Sequence, residues 1–170
     1  PNWPDGEVKV RLHALADREV PFHAWIERSD SGQAHFKAPV ASHLLGSLST
    51  GRQTVVVGAY DARKSGEPAA GFSSAGPTRD GRPKPEVAAP GMQVMAARSR
   101  SEDGLTKKSG TSMAAPAVTG LIALMLAKAR KERTSLSIEQ IRAKLQEGVK
   151  GGASGWDPQL GAGRASGKAI

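Results

Sequence analysis

From Gly110 to Ala127 the chain runs without a single charged side chain, as GTSMAAPAVTGLIALMLA, and this stretch constrains the fold more than any other. From Met113 to about Lys131 its apolar residues fall nearly all round a helix rather than along one stripe, with the first charge at Lys128. Such a helix is expected to lie buried between layers. The basic residues at its end, Lys128, Arg130, Lys131 and Arg133, complement the negative end of the helix dipole. The uncharged run includes Thr, Ser, Pro and Gly and falls short of the ~20 apolar residues of a bilayer span, so a core helix is expected and no membrane partner.

The remaining patterns agree with a layered α/β architecture. Aromatic residues make up only 4% of the 170 residues, against 20 glycines and 11 prolines, so small side chains and tight turns must do the packing. Thr54-Val55-Val56-Val57-Gly58-Ala59 is continuously apolar and β-branched, which predicts a strand covered on both faces of a parallel sheet. A second helix is predicted from Ser137, whose pairing with Gln140 reads as a capping box, with Ile138, Ile141 and Leu145 on one face and an end at Gly151-Gly152. Between these elements, residues 61–69 read as a surface loop and residues 71–91 as a succession of turns and short strands.

The first 38 residues differ in character. Val8, Val10, Leu12 and Ala14, then Val20, Phe22, Ala24 and Ile26, alternate with polar positions around a turn at Asp17-Arg18-Glu19, the period-two pattern of a half-buried hairpin. Two regions are therefore expected, a β-rich insert over 1–38 and an α/β domain over 39–170. The chain opens at Pro1 with no basic or apolar leader, so it reads as an internal piece of a longer polypeptide.

Composition narrows the chemistry. With no cysteine, disulfides, thiolate catalysis and cysteine-ligated zinc are excluded. The formal charge of +8 comes from basic residues scattered singly or in short clusters without interleaved aromatics, so no nucleic-acid partner is expected. Asp61, Asp80 and Asp103 lie in loops that could ligate calcium, but lone loop aspartates more often make turns, and no cofactor or metal site is assigned.

Ser112 is the candidate catalytic residue. A serine hydroxyl is a poor nucleophile at neutral pH, so it must be exposed, activated by a base and placed where an oxyanion can be stabilised. The strand-to-helix turn at Gly110-Thr111-Ser112 supplies exposure, and the helix N-terminus aims backbone N–H groups at developing negative charge. Pro116 cannot donate to the Ser112 carbonyl, so the first turn should be distorted. The activating base is not evident: the four histidines, His13, His23, His35 and His43, all precede Ser112 and sit in no recognisable base motif. An α/β-hydrolase places its histidine after the serine, and none follows Ser112.

The string Gly110-Thr111-Ser112-Met113-Ala114-Ala115-Pro116-Ala117-Val118-Thr119-Gly120 resembles, without a departure, the serine box of the subtilases, G-T-S-M-A-x-P-x-V-x-G. Phe72 to Thr78 and Lys84 to Gly91 look like the family's segment upstream of that box, and Trp156 to Arg164 like its closing turn. The resemblance covers roughly residues 39–170. It implies a partial subtilisin-like domain of three layers with a parallel sheet, and a serine endopeptidase whose polypeptide substrate is attacked by Ser112, with a histidine as base and an aspartate orienting it. The family's H-G-T box does not occur in this sequence, the single D-[ST]-G match, Asp30-Ser31-Gly32, stands without it, and the family's oxyanion asparagine has no counterpart, Asn2 lying in an unrelated Pro-Asn-Trp context.

The chain is accordingly expected to be inactive alone, to need the missing N-terminal part of its own catalytic domain as partner, and to expose an apolar sheet edge that favours oligomers. The resemblance also favours a secreted or periplasmic location and allows an unassigned calcium site. The alternative expectation is a non-catalytic binding or assembly module derived from such a domain.

Overall fold

The computed structural model describes residues 6–15, 17–26, 35–151 and 155–170. The chain divides into two compact units, Pro1–Pro39 and Val40–Ile170. In the first, the paired strands expected over residues 7–27 are not formed among the described residues, which carry no regular element. Val8 and Val10 remain 76% and 80% exposed, and Phe22 is 66% exposed. The alternation defines which side chains could share a face, but no layer lies beneath them, and a lone two-stranded ribbon is marginal in water. His23 stacks on Trp25 with ring centroids 5.3 Å apart. Most of the polar stretch 27–37 and Asn2 lie outside the described residues.

The second unit is built on a parallel pair. Strand β1, Val57–Tyr60, pairs with β2, Val87–Pro90, in the register Val57 to Val87 through Tyr60 to Pro90. β1 starts three residues later than the sequence pattern suggests: Thr54 O and Val56 N–H bond to side chains, while Val56 O still accepts from Glu86 N–H. The closing segment adds to the other edge of β2, with Ala88 N–H donating to Gly163 O and Ala165 N–H to Ala88 O. The apolar edge expected on the β1 side is not bare either. Ala70 N–H donates to Ala59 O, and Ser73 Oγ accepts from Ala59 N–H at 3.0 Å.

After β2 the chain makes an antiparallel hairpin, β3 Val94–Ala97 and β4 Leu105–Lys108, and enters helix α1, Thr111–Lys131. α1 packs on β1 and β2, and its Ala114, Val118 and Met125 join Ala59, Val87, Ala89, Ile141 and Leu145 in the core, with Ala129 buried further along the helix. The expectation of burial on all sides is corrected here. Leu124 and Leu126 are 55% and 44% exposed, because no described element covers that flank. By length and composition α1 would pass as a membrane span, with a mean hydropathy of 1.5, and only Ala114, Val118, Met125 and Ala129 along it are buried.

Helix α2, Ile138–Glu147, begins as predicted. Ser137 Oγ accepts from Gln140 N–H at 3.3 Å and Gln140 Oε1 accepts from Ser137 N–H at 2.8 Å, closing the capping box. Replacing Ser137 by Ala is expected to lower stability by about 1 kcal/mol, as read from a urea unfolding midpoint. The helix ends at Gly148, not at Gly151-Gly152. A Cβ at Gly148 would stand 2.5 Å from the Ala169 backbone, so only glycine lets the last turn close against the C-terminal segment. Beyond it, Lys150 pairs antiparallel with Arg164.

Candidate active site

Ser112 occupies the second position of α1, at the carboxyl end of the parallel pair, where open α/β sheets place their ligands. Gly110, just before the helix, has φ 152° and ψ 159°, a conformation that side-chain-bearing residues rarely adopt. Its N–H donates to Gly91 O at 2.8 Å, and Gly91 N–H donates to Tyr60 O at 3.0 Å. The serine turn is therefore stapled through Gly91 to the end of β1. A Cβ on Gly91 would lie 2.5 Å from Ala59 Cβ and 3.0 Å from Gly110 O, which explains the glycine there. Gln93 N–H donates to Ser109 Oγ at 2.9 Å and fixes the base of the hairpin to the same turn.

The Ser112 side chain is exposed, and no described side chain hydrogen-bonds it. The first turn of α1 carries no acidic residue to oppose an incoming anion. Pro116 lies inside the helix and removes the N–H that would have bonded the Ser112 carbonyl. Ala114 beneath the serine is fully buried, so the turn cannot rotate freely.

His43, at φ 59°, pairs its Nδ1 with Ser42 Oγ at 2.9 Å and makes no hydrogen bond to Ser112. The other three histidines belong to the first unit, where His23 stacks on Trp25 and His13 and His35 are exposed.

The loop aspartates are engaged elsewhere. Asp61 receives the Nε and Nη2 of Arg63 at 2.9 and 3.0 Å, and that contact holds its carboxyl below the ordinary range. Asp80 bonds Arg82 and the Thr78 hydroxyl, the arginine first and the threonine second lowering its pKa to about 2. Asp103 lies exposed in the β3–β4 turn, and among the described residues no group of three or more His, Asp or Glu could hold a metal ion.

The depressed Asp80 pKa carries a sign. At neutral pH the carboxylate is ionised whether folded or not, and the Arg82 contact stabilises the folded chain. As pH falls below the unfolded value near 3.8 the unfolded chain gains protons first, so this contribution declines and is gone once the folded carboxyl also protonates, near 2. The stability difference between the wild type and Asp80→Asn should therefore shrink between about pH 4 and 2 and stay constant above about pH 5. Paired denaturation curves across that range provide the check.

The segments that frame the serine are held by buried polar contacts absent from the sequence reading. Glu86, 3% exposed, accepts from Val56 N–H at 2.7 Å and from Lys84 Nζ at 2.7 Å, with Arg142 Nε of α2 at 3.0 Å. Lys84 Nζ also donates to Thr54 O, as does Arg142 Nη2. This cluster closes the amino ends of β1 and β2, opposite the serine. The closing turn docks from the side: Trp156 Nε1 donates to Pro85 O at 3.0 Å and Gln159 Nε2 to Ser73 O at 3.0 Å. Gly58 is required there because a Cβ would meet Gln159 O at 2.1 Å. Arg164 caps the same region, bonding Glu67 and lying 5.6 Å over the Tyr60 ring, whose phenol pKa is pushed up by burial.

A profile of the subtilase family, peptidase S8, matches residues 24–163. The chain belongs to the subtilase family. Among curated relatives, serine protease AprX of Bacillus subtilis is 32% identical over 124 residues, which is 64% of this chain and 27% of AprX. Pyrolysin of Pyrococcus furiosus is 39% identical over 78 residues, covering 46% of this chain and 6% of pyrolysin. Among solved structures, the Clostridium perfringens CspB protease superposes with a TM-score of 0.68 at 31% identity, over 78% of this chain and 29% of CspB. Fervidolysin from Fervidobacterium pennivorans gives a TM-score of 0.54 at 29% identity, over 69% of this chain and 18% of fervidolysin. The fold is thus subtilisin-like α/β, present as a partial domain. The chain spans less than a third of the length of each of these subtilases.

Proposed function

We propose that this subtilase chain carries the nucleophile of a serine endopeptidase, with Ser112 attacking the peptide carbonyl of a polypeptide substrate. The observation that supports this reading is the serine turn itself: an exposed hydroxyl at a helix N-terminus, with its backbone tied to the carboxyl end of the parallel strands and no competing hydrogen bond. In the reaction the Ser112 oxygen bonds to the carbonyl carbon, its proton passes to a base, and the N–H groups at the head of α1 face the oxygen that becomes negative.

No H-G-T box for the base occurs in this sequence, and the single D-[ST]-G match, Asp30-Ser31-Gly32, has no histidine box to accompany it, so the 170 residues alone are inactive in this reading. Complementation by a segment bearing both boxes would restore the proton acceptor. The test is fluorophosphonate labelling of the full gene product, followed by mapping of the modified residue. An adduct on Ser112 is the expected result. Labelling that maps elsewhere, or that persists in Ser112→Ala, overturns the assignment.

A further inference from the structure

We propose that Lys107 and Lys108 direct the enzyme toward peptides bearing an acidic residue within a few positions of the cleaved bond, an inference that rests on the endopeptidase reading above. The β3–β4 hairpin runs straight into the nucleophile's turn, and its charges are unevenly spread. At the tip, Arg98 and Arg100 are balanced by Glu102 and Asp103. At the base, Lys107 and Lys108 are both exposed, and neither has an ion-pair partner among the described residues.

Exposed lysines are ordinarily just solvated, but the placement of this pair is unusual. Lys108 precedes Ser112 by four residues, so the two backbones lie at most about 14 Å apart even if the link were fully extended. The Ser109 and Gly110 hydrogen bonds hold that link in one shape. Successive strand residues point to opposite faces, so each face of the hairpin carries one ammonium group.

The Lys107 face is the open one. Lys107 pairs across from Met95, and Met95 and Leu105 on the same face are 53% and 63% exposed. A peptide laid along it meets two apolar side chains beside a positive charge, with no acidic residue in the first turn of α1 to repel its carboxylate.

The experiment uses the full gene product and fluorogenic peptides that differ only in carrying Glu, Gln or Lys at one position near the cleaved bond, scanned to either side. At low salt the Glu peptide should exceed its Gln twin in kcat/KM by about three- to tenfold at the best position, and the advantage should fade toward parity at about 1 M salt. Lys107→Glu with Lys108→Glu should reverse the ranking in favour of the Lys peptide. The Glu-to-Gln ratio is taken within one preparation, so partial misfolding of a variant does not alter it. A wild-type ratio near one at every position, or a ratio unchanged in the variant, overturns the proposal. Failure to cleave any peptide, neutral ones included, together with an unlabelled Ser112, would instead sink the endopeptidase reading and this inference with it.

Discussion

Ser112→Ala in the full gene product is expected to lower kcat on a peptide substrate by about 10⁶-fold, the scale on which removing the nucleophile acts in subtilisin, a member of the same family. No neighbouring hydroxyl can take over: Thr111 lies one residue earlier, about 100° round the helix, and presents its oxygen elsewhere. The loss should come without a folding defect. Ser112 is exposed and its side chain bonds to no described residue, so the substitution removes reactivity and little else. Single-turnover rates with matched circular dichroism spectra make the comparison, and a loss below about tenfold would show that another group attacks the carbonyl.

The second large effect is expected far from the serine. Glu86→Ala should lower stability by about 3–5 kcal/mol, because it leaves Lys84 buried and uncompensated and frees the Val56 N–H. Lys84 and Glu86 are each 4% exposed at the side chain, so water cannot replace the lost carboxylate without opening the strand ends. Glu86→Gln keeps the acceptor oxygen and should fall between the two. Urea unfolding of the three proteins gives the ranking, and a loss under about 1 kcal/mol for the alanine variant would mean that the cluster does not tie β1 to β2.

These two residues also show what the linear sequence conveys. The exposed turn that carries Ser112 was legible because it is local: a glycine able to take an unusual φ, a hydroxyl and a small-residue helix start lie within five positions, whereas the role proposed for Ser112 rests on the resemblance of the whole string Gly110 to Gly120 to the subtilase serine box. The Ser137–Gln140 cap was legible for the same reason. The Lys84–Glu86–Arg142 cluster was not, since its third member arrives from α2, and a Lys-Pro-Glu triplet read alone looks like solvated turn.

The misread elements share one physical cause. The alternation over residues 7–27 and the all-round apolarity of α1 both state a demand for a covering layer, and neither states whether the chain supplies it. For α1 the described residues cover one stripe and leave Leu124 and Leu126 uncovered. In the 1–38 region Val8, Val10 and Phe22 stay largely exposed as well.

The hydrogen bond from Gly110 to Gly91 has a consequence for heat tolerance. Because the Ser112 turn is anchored to the parallel strands and not to a peripheral loop, warming should not displace it before the sheet itself melts. The turn and the sheet should therefore share one melting midpoint, whatever the temperature at which a segment carrying the base comes away.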